Sequence, residues 1–163
     1  MNPQDYSTRV KYRPPTAWYQ RLNWLGVLLT SMGLAPRDAV TLVVRGRKSG
    51  KARRIPILRT RYLGSDYLVA LAGESQWARN VRAADGRAVI RRRGAQRVRL
   101  VELAPADRGE IIAEYLRAGR DRSGDGADAK QARYYFGLAP EASLYDIQAI
   151  VDYYPVFRID YEN

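Results

Sequence analysis

The stretch AVTLVVRGRKSGKARRIPIL, residues 39–58, contains two apolar runs separated by a short and strongly basic turn. Gly46 and Gly50 bracket three polar residues, so the backbone can turn tightly and leave N–H groups unpaired. β-Branched residues on both sides are typical of strands. The stretch predicts a hairpin whose turn can bind phosphate or carboxylate groups. A solvated surface turn is the alternative, and a P-loop is not indicated because the glycine spacing differs and no helix follows.

The composition indicates one globular domain over residues 1–163. A hydrophobic content of 46% is enough for a core, and the net charge of +11 favours an anionic partner: nucleic acid, an acidic membrane surface or a polyanionic small molecule. The chain has no Cys and no His. This excludes disulfides and a thiolate nucleophile, and it removes the commonest general base and metal ligand, so no metal site is expected. Any chemistry is expected to come from a bound cofactor.

The first 33 residues predict a helical extension. Thr16 can cap a helix that runs to Met32 and ends at Gly33. This helix is too short and too interrupted to span a bilayer. It packs either against the core or against a second subunit in a homodimer, and peripheral membrane contact through residues 16–32 is the other interpretation. The first fifteen residues show no secretory signal, so the expected location is cytoplasmic, with the inner face of the membrane as the alternative.

The middle of the chain predicts antiparallel β structure. The expected strands are residues 39–45, 54–62, 67–72, 88–92 and 96–103, with a last strand at 156–161. The expected helices are residues 76–83, a helix from Pro105 to Gly119 and a short aromatic one at 134–136, with a mobile loop at 120–128. Short, evenly spaced strands with a few helices favour a mainly β (α+β) fold, a small barrel decorated by helices.

Two motifs resemble the deazaflavin-dependent nitroreductase and quinone reductase family. The first is Arg-Gly-Arg-Lys-Ser-Gly-Lys-x-Arg at 45–53, followed by a strand with Pro56; the second is the apolar run 68–73 leading to Trp-x-x-Asn at 77–80. The resemblance covers about residues 38 to 104. It implies a split β-barrel of the flavin-reductase and FMN-binding type. Such a protein binds the 8-hydroxy-5-deazaflavin coenzyme F-420 and passes its hydride to an electron-poor small molecule, such as a quinone or nitroaromatic compound.

The resemblance also implies which residues bind the cofactor. Coenzyme F-420 carries a phosphodiester and a tail of glutamates, which suit a basic turn. The turn residues would contact the phosphate or the tail, residues 70–75 would run beside the ring with N–H groups facing its carbonyls, and the Trp-x-x-Asn helix would close the pocket. The implied residues are Arg47, Lys48, Ser49, Arg53, Arg54, Ala72, Gly73, Ser75, Trp77 and Asn80. For Trp77, an ordinary core position is the alternative.

Tyrosines from the last third of the chain are the candidate catalytic residues, because the resemblance places such tyrosines near the acceptor. They are Tyr134, Tyr135 and Tyr145, with Tyr62 as a further proton donor and simple packing as the alternative for each. Should an acid–base group be needed near neutrality, the carboxylates to test are Glu74 and Asp146.

Two other function classes stay open at this point. An FMN-dependent split-barrel oxidoreductase is the nearer one, since it also needs a phosphate site. A nucleic-acid-binding barrel is less favoured because the basic strands lack aromatic residues for base stacking, so no nucleic-acid partner is expected.

Overall fold

Six antiparallel strands close into a barrel in the computed structural model, which describes residues 37–123, 134–138 and 142–162. The strands are β1 (Ala39–Arg45), β2 (Ala52–Tyr62), β3 (Ser65–Val69), β4 (Arg87–Arg91), β5 (Ala95–Glu102) and β6 (Val156–Tyr161). The helices are α1 (Gln76–Ala83), α2 (Gly109–Ser123) and α3 (Leu144–Gln148), with 3-10 turns at Pro105–Asp107 and Val151–Tyr153. The helix predicted for residues 16–32 lies outside the described residues.

The order of strands around the barrel is β1-β2-β3-β6-β5-β4, and β4 pairs back onto β1. Every second residue of β1 faces the interior: Val40, Leu42 and Val44 are at most 2% exposed. The partners of Val40 and Leu42 on β2 are Ile57 and Ile55, which pack against the same core. The barrel predicted from evenly spaced strands is therefore confirmed.

The two ends of the barrel are closed differently. Helix α1 covers the end at which β1 turns into β2, and its Trp77 ring packs against Phe157 with centroids 5.4 Å apart. At the other end the buried Asp66 carboxylate accepts hydrogen bonds from Tyr161 at 2.7 Å and from Arg59 and Arg61 at 3.3 Å. One end is therefore closed by a helix and the other by a polar cluster.

A second apolar cluster lies outside the barrel and forms a helical layer. Ile112 of α2 and Ile147 of α3 are buried there beside Phe136 and Tyr154, and Val156 of β6 joins them. This layer contains the short helical stretch at residues 134–136, which was predicted. Within the described ranges, no helix has both the length and the apolar character needed to cross a membrane.

Several details differ from the predictions. Strand β2 begins at Ala52 rather than at residue 54, because the ladder with β1 extends to the Arg45–Ala52 pair, and β3 ends at Val69 rather than at residue 72, because the chain turns there, with Gly73 N–H donating to Ala70 O. Strand β3 begins at Ser65 rather than at residue 67, because Asp66, expected in a turn, is a buried member of the β2–β3 ladder. Helix α2 continues to Ser123 although a loop was expected from residue 120, and the Arg117–Asp121 ion pair at 2.9 Å spans its last turns. Helix α3 was not predicted at all; it begins with a capping box between Ser143 and Asp146.

Candidate functional site

The turn between β1 and β2, residues 46–51, is called the basic turn from here on. Its shape is fixed by two backbone hydrogen bonds: Gly46 N–H donates to Lys51 O at 2.9 Å, and Gly50 N–H donates to Gly46 O at 2.7 Å. Gly50 has φ +67°, a left-handed conformation that favours glycine. The turn is as tight as predicted, but both glycine N–H groups are used inside it. Among the described residues, no partner is found for the N–H groups of Lys48 and Ser49.

Arg47 connects the basic turn to helix α1. Its backbone N–H and its Nη1 both donate to Asn80 Oδ1, at 3.2 and 3.0 Å, and its Nη2 donates to Gln76 Oε1 at 2.9 Å. Asn80 is only 7% exposed, so its oxygen is a fixed acceptor. The two motifs of the sequence, 33 residues apart at this contact, are therefore joined directly, and Arg47 is the residue that joins them.

Two further basic residues, Arg53 and Arg54 at the start of β2, are exposed and point in different directions. Arg53 Nη2 lies 3.5 Å from Ser49 Oγ. A Cβ at Gly46 would come within 3.0 Å of Ser49 Oγ and 3.3 Å of Arg53 Nε, so glycine leaves room for both side chains over the turn. The strand register pairs Arg53 with Val44 on the inward face and Arg54 with Val43 on the outward face. Ser49 and Arg53 therefore lie together, and Arg54 projects from the opposite side of the strand.

Residues 70–75, the α1 loop, lead from β3 into α1. Ala70 N–H donates to Pro155 O at 2.9 Å, Gly73 N–H to Ala70 O at 2.9 Å, and Ser75 N–H to Gly73 O at 2.6 Å. Gly73 has φ +72°, and Ser75 caps α1 by accepting from Ala78 N–H at 3.4 Å. Gly73 and Ser75 thus shape the loop with their own N–H groups engaged. The N–H of Ala72 has no partner in the described part of the chain.

Arg82 of α1 is the centre of an ion-pair network with Glu74, Glu102 and Arg108, called the arginine–carboxylate network below. Hydrogen bonds from Arg82 are the main cause that lowers the pKa of Glu74 below its ordinary value, and hydrogen bonds to Glu102 and Glu74 raise the pKa of Arg82. Burial lowers the pKa of Arg108, which keeps a side-chain exposure of only 8%. The network holds together the α1 loop, helix α1 and the end of β5.

Neither carboxylate suggested as an acid–base group is suited to that role near neutral pH. Glu74 is an ion-pair partner of Arg82, as just described. The pKa of Asp146 is lowered by its hydrogen bonds from the Ser143 side chain and backbone in the α3 cap. Both groups are therefore ionised at pH 7, and neither is suited to donate a proton there.

The three candidate tyrosines lie in the helical layer rather than at the basic turn. Tyr134 and Tyr135 have ring centroids 4.9 Å apart, and the Tyr135 carbonyl accepts a hydrogen bond from the Tyr154 hydroxyl. Tyr145, on α3, is 84% exposed. The structure brings together the predicted residues of the turn, the loop and α1. The helical layer that contains Tyr134 and Tyr135 meets the α1 loop at Pro155, which follows Tyr154 and accepts a hydrogen bond from Ala70 N–H.

Tyr62 lines a cavity of about 400 Å³ between the β2–β3 turn and helices α2 and α3. Apolar side chains such as Ile111 and Leu144 form much of its wall, and the Tyr62 hydroxyl donates to the Glu110 carboxylate at 3.5 Å. Desolvation and this carboxylate raise the pKa of Tyr62. The cavity and the basic turn lie at opposite ends of β2, a distance of roughly 30 Å along an eleven-residue strand. The cavity is therefore separate from the turn.

Sequence reasoning missed two residues that organise this end of the barrel, Gln76 and Glu102. Each is the partner of an arginine distant in sequence, Arg47 for Gln76 and Arg82 for Glu102. The sequence indicated helix α1, through its serine cap and its Trp-x-x-Asn spacing, but it did not indicate these two contacts. Among the described residues, no group of three or more potential metal-ligating side chains occurs.

Comparison with known proteins defines the class of this one. The model of the F-420-H2-dependent quinone reductase family matches residues 11–138. This chain belongs to that family and is an F-420-dependent oxidoreductase.

Solved structures show a general likeness at low identity. An F-420-H2-dependent reductase, FDR-A, is 20% identical, with 76% of this chain and 95% of that one covered and a TM-score of 0.49. A conserved hypothetical protein from Mycobacterium tuberculosis is 14% identical, with 95% and 85% covered and a TM-score of 0.48. A structure described as a domain-swapped dimer is 19% identical, with 90% and 100% covered and a TM-score of 0.46. No curated protein matches this chain.

Proposed function

We propose that this protein binds coenzyme F-420 at the barrel end formed by the basic turn, the α1 loop and helix α1, and that it reduces a quinone-type acceptor. The observation that carries the proposal is the contact of Arg47 with Asn80 and Gln76. This contact assembles two distant motifs into one surface that is rich in cationic and N–H donors. Membership of the F-420-H2-dependent quinone reductases supports the choice of cofactor and acceptor class.

The donor set of the basic turn suits the phosphodiester of the coenzyme. Lys48, Ser49 and Arg53 are exposed, and the room above Gly46 keeps the last two side chains over the turn. Charge-assisted hydrogen bonds to phosphate are among the strongest that proteins make. Arg54 faces the other side of β2, so we assign it to the carboxylates of the tail rather than to the phosphate. Arg47 is engaged by α1, and its proposed role is to hold the turn in place.

The cofactor, when bound, supplies the hydride, and the protein supplies position and orientation. We assign Ala72 N–H as a donor to a ring carbonyl and the half-buried Trp77 as a wall of the ring pocket, in addition to its packing on Phe157. With no His or Cys in the chain, the proton that completes reduction of the acceptor comes from a tyrosine hydroxyl or from water.

The acceptor side of the proposal concerns Tyr134, Tyr135 and Tyr145. Their proposed role is to orient the acceptor or to deliver its proton, so replacement by Phe should change turnover modestly and leave cofactor affinity unchanged. The homodimer and the membrane contact predicted from residues 16–32 concern residues outside the described ranges and stay predictions.

The experiment that tests the cofactor is a fluorescence titration of the purified protein with coenzyme F-420 and, separately, with FMN. Tighter binding of coenzyme F-420 is expected. Equal affinities, or tighter binding of FMN, would refute the deazaflavin assignment while leaving the barrel intact. Oxidation of the reduced coenzyme is then followed with a quinone and with a nitroaromatic compound as acceptor. Turnover with the nitroaromatic compound alone would refute the acceptor class.

A further inference from the structure

Arg82 lies between two carboxylates that come from different parts of the fold. Its Nη1 and Nη2 donate to the two oxygens of Glu74 at 2.6 and 2.9 Å. Its Nε and Nη2 donate to the two oxygens of Glu102 at 2.6 and 2.7 Å. Both pairs use two parallel hydrogen bonds, an arrangement that fixes direction as well as distance. A helix side chain thereby connects the α1 loop to the end of β5.

The Glu102 side of this arrangement is anchored in the protein interior. Arg108 donates from Nη2 to Glu102 Oε1 at 3.1 Å. The same guanidinium donates to the carbonyls of Leu103 at 3.0 Å and Val151 at 3.1 Å, and its side chain is 8% exposed. Arg108 is buried, has three partners and therefore fixes the position of Glu102. Because Glu102 binds Arg82, the Arg82 guanidinium is also held in a defined position beside Glu74.

In the described part of the chain, the side-chain and backbone hydrogen bonds that fix the loop containing Glu74 include one near each of its ends. At the first residue of the loop, Ala70 N–H donates a hydrogen bond to Pro155 O. At its last residue, the Ser75 side chain caps helix α1. Between them, Gly73 has φ +72°, and its N–H bond to Ala70 is internal to the loop. Leu71 packs against the second apolar cluster, and the side chain of Glu74 supplies the strongest polar contact of the middle of the loop, with Arg82 at 2.6 Å and Arg79 at 3.9 Å.

We infer that Arg82 is a positioning residue, which fixes the α1 loop through Glu74 where Ala72 and Gly73 meet the cofactor. This inference rests on the proposed function. Helix α1 then holds both halves of the site: Asn80 holds the basic turn and Arg82 holds the loop. Lysine cannot replace Arg82, because an ammonium group cannot make two bidentate contacts at once.

The test compares Arg82→Gln, Arg82→Lys and Glu74→Gln with the control Arg117→Gln. Arg117 also binds two carboxylates, Glu114 at 2.5 and 2.8 Å and Asp121 at 2.9 Å, but on the exposed face of α2. The Glu74→Gln variant leaves the Arg82–Glu102–Arg108 contacts in place, so it covers the case in which an Arg82 variant fails to fold.

Two measurements decide the question. Amide hydrogen exchange of residues 70–75 in the cofactor-free protein should speed up in all three test variants and stay unchanged in Arg117→Gln. The dissociation constant of coenzyme F-420 should rise about tenfold in each test variant, and Arg82→Gln combined with Glu74→Gln should be no worse than the single changes.

Unchanged exchange in the loop would overturn the inference, and so would faster exchange with unchanged cofactor affinity, since Arg82 would then be structural only. If the unaltered protein fails to bind the coenzyme, the proposed function fails and the positioning role falls with it. Faster loop exchange would then still establish the Glu74–Arg82 contact.

Discussion

Replacing Asn80 with Ala should separate the basic turn from helix α1. The Asn80 Oδ1 atom accepts one bond from a backbone N–H and one from a charged guanidinium, both from Arg47. A neutral hydrogen bond contributes about 0.5–1.5 kcal/mol and a charged one about 1.5–3 kcal/mol. Because Arg47 is exposed, water replaces part of what is lost, so the lower ends apply and the sum is about 2 kcal/mol.

This free energy should be visible both in folding and in binding. Unfolding by guanidinium chloride should show a loss of about 2 kcal/mol in Asn80→Ala. In Asn80→Ala the basic turn has lost its hydrogen bonds to Asn80, so part of the binding free energy is spent on ordering the turn. A cost of up to about 2 kcal/mol lowers the cofactor affinity by up to about thirtyfold. The comparison variant is Gln76→Ala, which removes only the more exposed bond to Arg47 and should therefore cost clearly less stability than Asn80→Ala.

A second variant, Asn80→Asp, separates stability from charge. It keeps an acceptor for Arg47 and adds a negative charge beside the basic turn, so it should fold normally and still bind the anionic cofactor more weakly. If Asn80→Ala has the stability and the cofactor affinity of the unaltered protein, the idea that α1 organises the turn is wrong.

The remaining predictions concern charge, pH and the transferred hydrogen. Lys48→Ala and Arg53→Ala should each weaken coenzyme F-420 binding by about tenfold or more and reduce its salt dependence, with unfolding unchanged. Arg93→Asn, in the exposed β4–β5 turn at the other barrel end, is the control that loses the same charge; an equal effect there would mean that only net charge matters. Folding lowers the pKa of Glu74, so its contribution to stability is present above the unfolded pKa of about 4.3 and is lost as the pH falls through the folded pKa. Denaturation curves of Glu74→Gln should therefore vary less with pH in the acid range, and an unaltered acid dependence would contradict the role of Arg82. Deuterium at the transferred position should slow turnover, which should change little between about pH 6 and 8 because the chain has no His; a steep change near pH 7 would reveal an unidentified acid–base group.

The elements of the site could be predicted from local signals. Gly46 and Gly50 indicated the tight turn, and the bounds of α1, Gln76–Ala83, follow from its serine cap and its apolar spacing. The period of two along β2 also implies that Arg53 and Arg54 face opposite sides. Such signals lie within a few residues of the feature that they indicate.

The meeting of these elements could not be predicted in the same way. Arg47 contacts Gln76 and Asn80, which are 29 and 33 residues away in sequence. Arg82 contacts Glu102, 20 residues away. Only closure of the barrel brings these residues together. The end of α2 was misjudged because Gly119 suggested a stop, although packing buries this glycine inside the helix. In α3 the capping box was present in the sequence, but five helical residues are too few for a periodic pattern.

The position of β6 in the barrel has a consequence for how the chain folds. Strands β1 to β5 lie within residues 39–102 and can pair as one open sheet, in the order β3-β2-β1-β4-β5. Until β6 arrives, about fifty residues later, that sheet has two unpaired edges, and such edges favour association between chains. Charged residues stand along both edges, Asp66 on β3 and Arg97 and Arg99 on β5. These charged side chains, which lie at the β3 and β5 edges in the complete barrel, therefore also disfavour aggregation of the five-stranded sheet before β6 pairs with it.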